Sequence, residues 1–192
     1  MKYLLSAFLL FFMQLSGTGC GISPKQPVLH DFGSPVSTST DKSEQGDKPT
    51  ITVDAPTWLW EDRIRYRLLY ASPTRVGFYA LDLWIAPPPE LFEQLLISSV
   101  KSRNYSLVIW LHDFEQQFGA PDKARVILRF SVEAYSSDPS KKVYTKEFYL
   151  EHPTATPDAS GAVSGFANLT RQAVDKIQVW LAELSENNIP IQ

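Results

Sequence analysis

Apolar and polar residues alternate with a period of two from Arg63 to Tyr70, where Arg63, Arg65 and Arg67 are interleaved with Ile64, Tyr66 and Leu68. That period belongs to a half-buried strand, whose successive side chains point to opposite faces. Arg75 to Tyr79 is the expected neighbouring strand. Upstream, Pro27 to Phe32 and Thr50 to Val53 each carry enough apolar and β-branched residues for one short strand. Pro87, Pro88 and Pro89 end this extended region, and from Glu90 onward Leu91, Leu95, Leu96 and Val100 fall on one helical face. Three further strands are predicted at Leu107 to Phe114, Arg125 to Tyr135 and Val143 to Leu150, each rich in Val, Ile and aromatic residues. The connections between them, Glu115 to Lys123 and Ser136 to Lys142, are short and polar, which suits antiparallel hairpins. Val163, Phe166, Ala167, Thr170, Val174, Ile177, Leu181 and Leu184 then recur at spacings of three and four, the strongest helical pattern in the chain. The predicted class is α/β, an α+β sandwich: a mixed, largely antiparallel sheet of about six or seven strands with two main helices packed on one face.

A chain of 192 residues with 44% hydrophobic and 12% aromatic content is long and apolar enough for one domain with a substantial core. The formal net charge of −3 argues against nucleic acid as a partner. The first residues are set apart from the rest. Lys2 gives a short positive start, Tyr3 to Leu15 form an apolar run too short to stay as a membrane span, and small residues then lead to Cys20, the one cysteine in the chain. Residues 1–19 therefore read as a signal peptide and 20–192 as the mature domain.

The segment around Cys20 resembles the lipobox of bacterial lipoproteins, in which the cysteine becomes the acylated N-terminus. Gly17 and Gly19 also fit the small-x-small pattern of ordinary signal peptidase, which would leave a soluble secreted protein. Each buried acyl CH₂ contributes about 0.8 kcal/mol, so two or three palmitate-like chains would tether the protein firmly. Gly21, not Asp, follows the cysteine, and this points to the periplasmic face of the outer membrane. Residues 33–49 hold a single β-branched apolar residue, Val36, among Ser, Thr, Asp, Lys and Gly, and are expected to be a mobile loop outside the core.

Two of the three histidines sit in a repeated phrase, Leu29-His30-Asp31-Phe32 and Leu111-His112-Asp113-Phe114; the third is His152. Neither a set of metal ligands nor an activated nucleophile is visible, and the histidines read as strand-end hydrogen-bonding residues. No catalytic residue, metal or cofactor is expected. The most distinctive stretch is Pro56 to Arg67, with Trp58 and Trp60 two apart and Arg63, Arg65 and Arg67 on one strand face. Trp and Arg are frequent interface hot spots, and Arg grips a carboxylate or a phosphate with two parallel hydrogen bonds. Against this stands the reading that both tryptophans plug the core and that the arginines are simply solvated. Three like charges on one strand repel, and isolated surface ion pairs contribute only about 0 to 1 kcal/mol, so the row is expected to have little structural use.

Four features together resemble the ABC-type transport auxiliary lipoprotein family, relatives of the paraquat-inducible intermembrane transport lipoprotein. They are the N-terminus at Cys20; Pro56-Thr57-Trp58-Leu59 leading to Ile64-Arg65-Tyr66-Arg67; Trp84 before the proline-led helix to Leu96; and Phe114-Glu115 closing a strand before a hairpin. The resemblance spans nearly all of the mature chain. It implies a non-catalytic, membrane-anchored component of an MCE-type system that moves lipids or other hydrophobic molecules across the cell envelope. It also implies MCE transporter components as partners, with lipid and self-association into a ring or other oligomer as further possibilities. The alternative is a solute-binding lipoprotein that captures a small apolar ligand itself, for which a closed, aromatic-lined pocket would be the mark.

Overall fold

The arginine alternation sets the orientation of the whole sheet: Ile64 is fully buried, while the arginines flanking it lie on the opposite face. The structure, a computed structural model, describes residues 25–33, 50–100, 105–136 and 143–186. The expected signal peptide, Cys20, residues 34–49 of the expected loop and most of the Ser136 to Lys142 connection lie outside the described residues. Seven strands and two long helices follow in the order β1 (Val28–His30), β2 (Ile51–Asp54), β3 (Arg63–Leu68), β4 (Val76–Trp84), α1 (Pro88–Ser99), β5 (Tyr105–Ala120), β6 (Lys123–Ser136), β7 (Tyr144–Pro153) and α2 (Ala159–Glu186). A single 3-10 turn, Thr57–Leu59, lies between β2 and β3.

The strands form one mixed sheet in the order β1-β4-β3-β5-β6-β7, with β2 also paired to β5. The β3–β4, β5–β6 and β6–β7 ladders are antiparallel, whereas β1–β4, β2–β5 and β3–β5 are parallel. β5 is the spine. One edge pairs with β6 along its length; the other takes β2 at Leu107 to Trp110 and β3 at Gln116 to Phe118. The segment joining β2 to β3, which contains the two tryptophans, therefore bridges the interval between these two pairings.

Two expectations are corrected here. Residues Glu115 to Ala120 are strand rather than connection, and the β5–β6 turn is only Pro121 and Asp122. β4 likewise runs five residues further than expected, to Trp84, with its register against β3 slipping between Arg63 and Arg65.

Both helices pack on one face. Pro88 and Pro89 open α1, where a missing N–H costs nothing, and Leu91, Phe92, Leu95 and Leu96 turn inward. The Glu93 carboxylate accepts the Val53 N–H at 2.7 Å, tying α1 to the backbone of β2. On α2, Gly165 allows close approach to the sheet, since a Cβ there would sit 2.7 Å from Val126 Cγ2, while Gly161 makes room for the backbone of Thr156 in the connection before the helix. The two Leu-His-Asp-Phe phrases meet through their phenylalanines. Phe32, Phe114, Trp84 and Phe166 form one aromatic cluster, with Phe114 stacked on Phe166 at 3.9 Å.

Candidate functional site

The 3-10 turn decides where the tryptophans go. With three residues per turn, Leu59 takes the inward position and is buried, so Trp58 and Trp60 point outward, 55% and 40% exposed. Of the two readings of these residues, the core-plug reading is therefore overturned. The turn is held firmly: Leu59 N–H donates to the Pro56 carbonyl at 2.9 Å, and the Trp60 indole N–H donates to the Ala55 carbonyl at 3.1 Å. Trp110 and Val108, on the outward face of β5 opposite Asp54 and Thr52, are exposed as well.

The arginine row lies on this same outward face, and its members are engaged unequally. Arg67 closes a fork on Glu115, Nε to Oε1 at 3.0 Å and Nη2 to Oε2 at 3.1 Å, and its Nη1 donates to the Pro73 carbonyl. The Glu115 hydrogen bonds raise the Arg67 pKa further above its ordinary value. Arg67 thus has a structural use that the alternation alone did not reveal, because Glu115 is buried and needs a counter-charge. Arg63 lies over the Phe78 ring with its guanidinium carbon 3.6 Å from the centroid, a cation–π contact. Arg65 donates one N–H to the Trp58 carbonyl at 2.9 Å, and its Nε is buried with no acceptor. Burial lowers the Arg65 pKa, against the opposing pull of Glu115.

The remainder of the outward face is a charge ladder that the sequence reading missed. Arg129 bonds Asp113 at 2.6 Å and Glu147 at 3.4 Å, and Arg125 lies 3.5 Å from Glu151. The signal was present in β5, where Asp113, Glu115 and Gln117 are spaced two apart, but it lay partly in residues taken for a connection. On the inner face, Gln116 is fully buried and satisfied: it accepts from the Tyr79 hydroxyl at 2.6 Å and donates to the Asp158 carbonyl at 3.3 Å.

The histidines take separate partners. His30 lies 2.9 Å from Asp82 and His112 lies 3.1 Å from Ser131, while His152 is on β7 opposite Val126. The described residues hold no group of three or more His, Cys, Asp or Glu side chains placed to share a metal ion. Two clefts of ≈ 270 and ≈ 350 Å³ are open to solvent. The first, at the β3–β4 hairpin, is lined by Tyr66, Leu68, Ser72 and Arg75; the second, beside β1, by Leu29, His30, Ile85 and Val163. No described helix is long and apolar enough to cross a membrane.

No family model and no curated protein sequence matches the chain. The fold has solved counterparts. A crystal structure of a protein from Xanthomonas campestris, of family-model DUF330, matches with a TM-score of 0.63 at 13% sequence identity, covering 86% of this chain and 93% of that one. A crystal structure of an uncharacterized protein matches with a TM-score of 0.57 at 11% identity, covering 81% of this chain and 99% of that one. At these identities the likeness establishes a shared fold.

Proposed function

We propose that the chain is a membrane-tethered, non-catalytic auxiliary lipoprotein of an ABC/MCE-type transport system, docking on its partner through the turn that carries Trp58 and Trp60 and the arginines beside it. The observation that carries this reading is the outward placement of two indoles on a turn whose backbone and one indole N–H are pinned. Burying a large apolar side chain stabilises by about 1.5–3 kcal/mol, and with Trp58 55% and Trp60 40% exposed about half of that gain is left unrealised in the isolated chain. Trp beside Arg is the composition of interface hot spots, and a pinned turn pays less ordering entropy on association.

The transport system is supplied by the sequence resemblance, and the fold shared with the DUF330 structure is compatible with it. Cys20 would carry the acyl anchor at the periplasmic face of the outer membrane, and no bond chemistry is assigned to the domain. The two clefts described above do not themselves favour the solute-binding alternative, being open, and the first mixes Ser72 and Arg75 with its apolar lining.

The test is affinity purification of the full chain from detergent-solubilised membranes of its own organism. Recovery of an MCE component in stable proportion is the expected result. Recovery of the chain without any transporter component, under conditions that preserve the transporter, would remove this role.

A further inference from the structure

We infer that the sheet edge formed by Val28, Leu29 and Ile85 rests on the bilayer that holds the anchor, its apolar side chains entering the headgroup–acyl boundary. This deepens the reading above and rests on acylation at Cys20. All three side chains are more than half exposed. The fold gathers them: Val28 and Leu29 lie on β1, which pairs with the end of β4, and the His30 carbonyl accepts the Ile85 N–H at 2.8 Å. Leu29 and Ile85 then line one open cleft with Val163 of α2. Apolar side chains scattered singly over a surface are ordinary, whereas a group at adjoining strand ends calls for something to cover it.

The length of chain before the edge says what covers it. Cys20 stands eight residues before Val28, and a fully extended chain of that length reaches at most about 29 Å. Helix α2 alone, with 28 residues, is about 42 Å long. The tether is therefore shorter than the domain, and it keeps β1 within reach of the bilayer surface while the far end of α2 need never approach it.

Two further observations set how the edge meets lipid. β1 is an end strand of the sheet, and no described strand pairs with its outer side. Backbone groups left open there need water or headgroup oxygens, so the edge lies at headgroup level and does not enter hydrocarbon. The charges beside it form no basic cluster among the described residues: Lys25 and Asp31 are exposed, and His30 lies 2.9 Å from Asp82. Contact is driven by apolar burial rather than by attraction to anionic lipid.

The test uses the acylated full-length chain, purified from membranes and reconstituted into vesicles of phosphatidylethanolamine and phosphatidylcholine, which carry no net charge. Cys20 is the one cysteine, and acylation takes up its thiol, so Leu29→Cys or Ile85→Cys offers a single site for a fluorescent label. Val179→Cys is the reference: it is as exposed as Ile85 but lies sixteen residues beyond Val163 on α2, about 24 Å along the helix. A lipid-borne nitroxide at headgroup depth should quench labels at Leu29 and Ile85 about threefold or more over the label at Val179. Labelled chains are read at a wild-type unfolding midpoint, and if one position lowers it the other carries the test. Quenching no stronger than at Val179, in a chain whose mass includes the acyl groups, would overturn the contact and leave the tether standing. Labels shielded from both the lipid nitroxide and aqueous iodide would overturn it in favour of a protein cover. A chain whose mass shows no acyl group would remove the tether, and this contact with it.

Discussion

Glu115 is a carboxylate buried on the outward face of a strand, and the Arg67 fork is what makes that burial tolerable. Removing one partner of a buried pair leaves an uncompensated charge and costs about 3–5 kcal/mol. The Arg67 side chain keeps 22% of its exposure, so water can reach the pair and a smaller loss is expected for Arg67→Gln, about 2 kcal/mol. Chemical denaturation should show that loss, a near-wild-type value for Arg63→Gln, and a double variant Arg67→Gln with Glu115→Gln less damaged than the sum of its singles. Equal midpoints for Arg63→Gln and Arg67→Gln would contradict this ranking. A second residue sets an acid limit on α2. Asp158 caps that helix, accepting the Gly161 N–H at 2.8 Å and the Thr156 hydroxyl at 2.6 Å, and these bonds hold its carboxyl below the ordinary value of 3.8. A folded pKa below the unfolded one gives stability that is complete above the unfolded value and is lost as pH falls through the folded value. Asp158→Asn keeps an acceptor without the charge, and Asp158→Ala removes about 1 kcal/mol of capping. The stability gap between wild type and Asp158→Asn should therefore be present at neutral pH and close well below pH 3.8; a gap independent of pH would show that the charge plays no part.

Among the elements, α2 depends on close approach to the sheet. At Gly165 the nearest obstacle is Val126, a short, fully buried side chain that cannot swing away. Gly165→Val should lower stability by about 1–3 kcal/mol through overpacking, measurable as a fall in the unfolding midpoint, while partner recovery from the folded fraction is unchanged. A rise in the midpoint would mean the sheet yields. The long elements were legible because their periods are sustained: the apolar face of α2 and the alternation of β3 are both realised. β5 was cut short because Glu115, Gln116 and Gln117 lower its local hydrophobicity, yet its period of two persists through inward Phe114, Gln116 and Phe118. Two of these polar residues are accounted for by distant partners, Arg67 for Glu115 and Tyr79 with Asp158 for Gln116, and no local pattern announces such partners. The parallel pairing of β1, β2 and β3 was equally hidden, since strand direction within a sheet is fixed by tertiary packing. The tryptophans were ambiguous for a different reason: a spacing of two reads as one strand face, whereas the 3-10 turn turns Leu59 inward and both indoles outward.

For the whole molecule, the proposed arrangement is a domain with a filled core, a lipid tether at one end of the chain and a rigid aromatic and basic surface for a partner. The tether makes its own prediction: Cys20→Ser should move the full-length protein from the membrane pellet to the soluble periplasmic fraction, and an unchanged distribution would contradict acylation at that residue. The docking surface makes another. Trp58 and Trp60 contribute little to the core, so the double variant Trp58→Ser with Trp60→Ser should keep its fold. The most direct measurement is the amount of MCE component recovered with this full-length double variant from detergent-solubilised membranes, relative to wild type at equal loading. The account predicts an unfolding midpoint close to wild type with recovery reduced about tenfold or more; recovery equal to wild type from a folded double variant would contradict it.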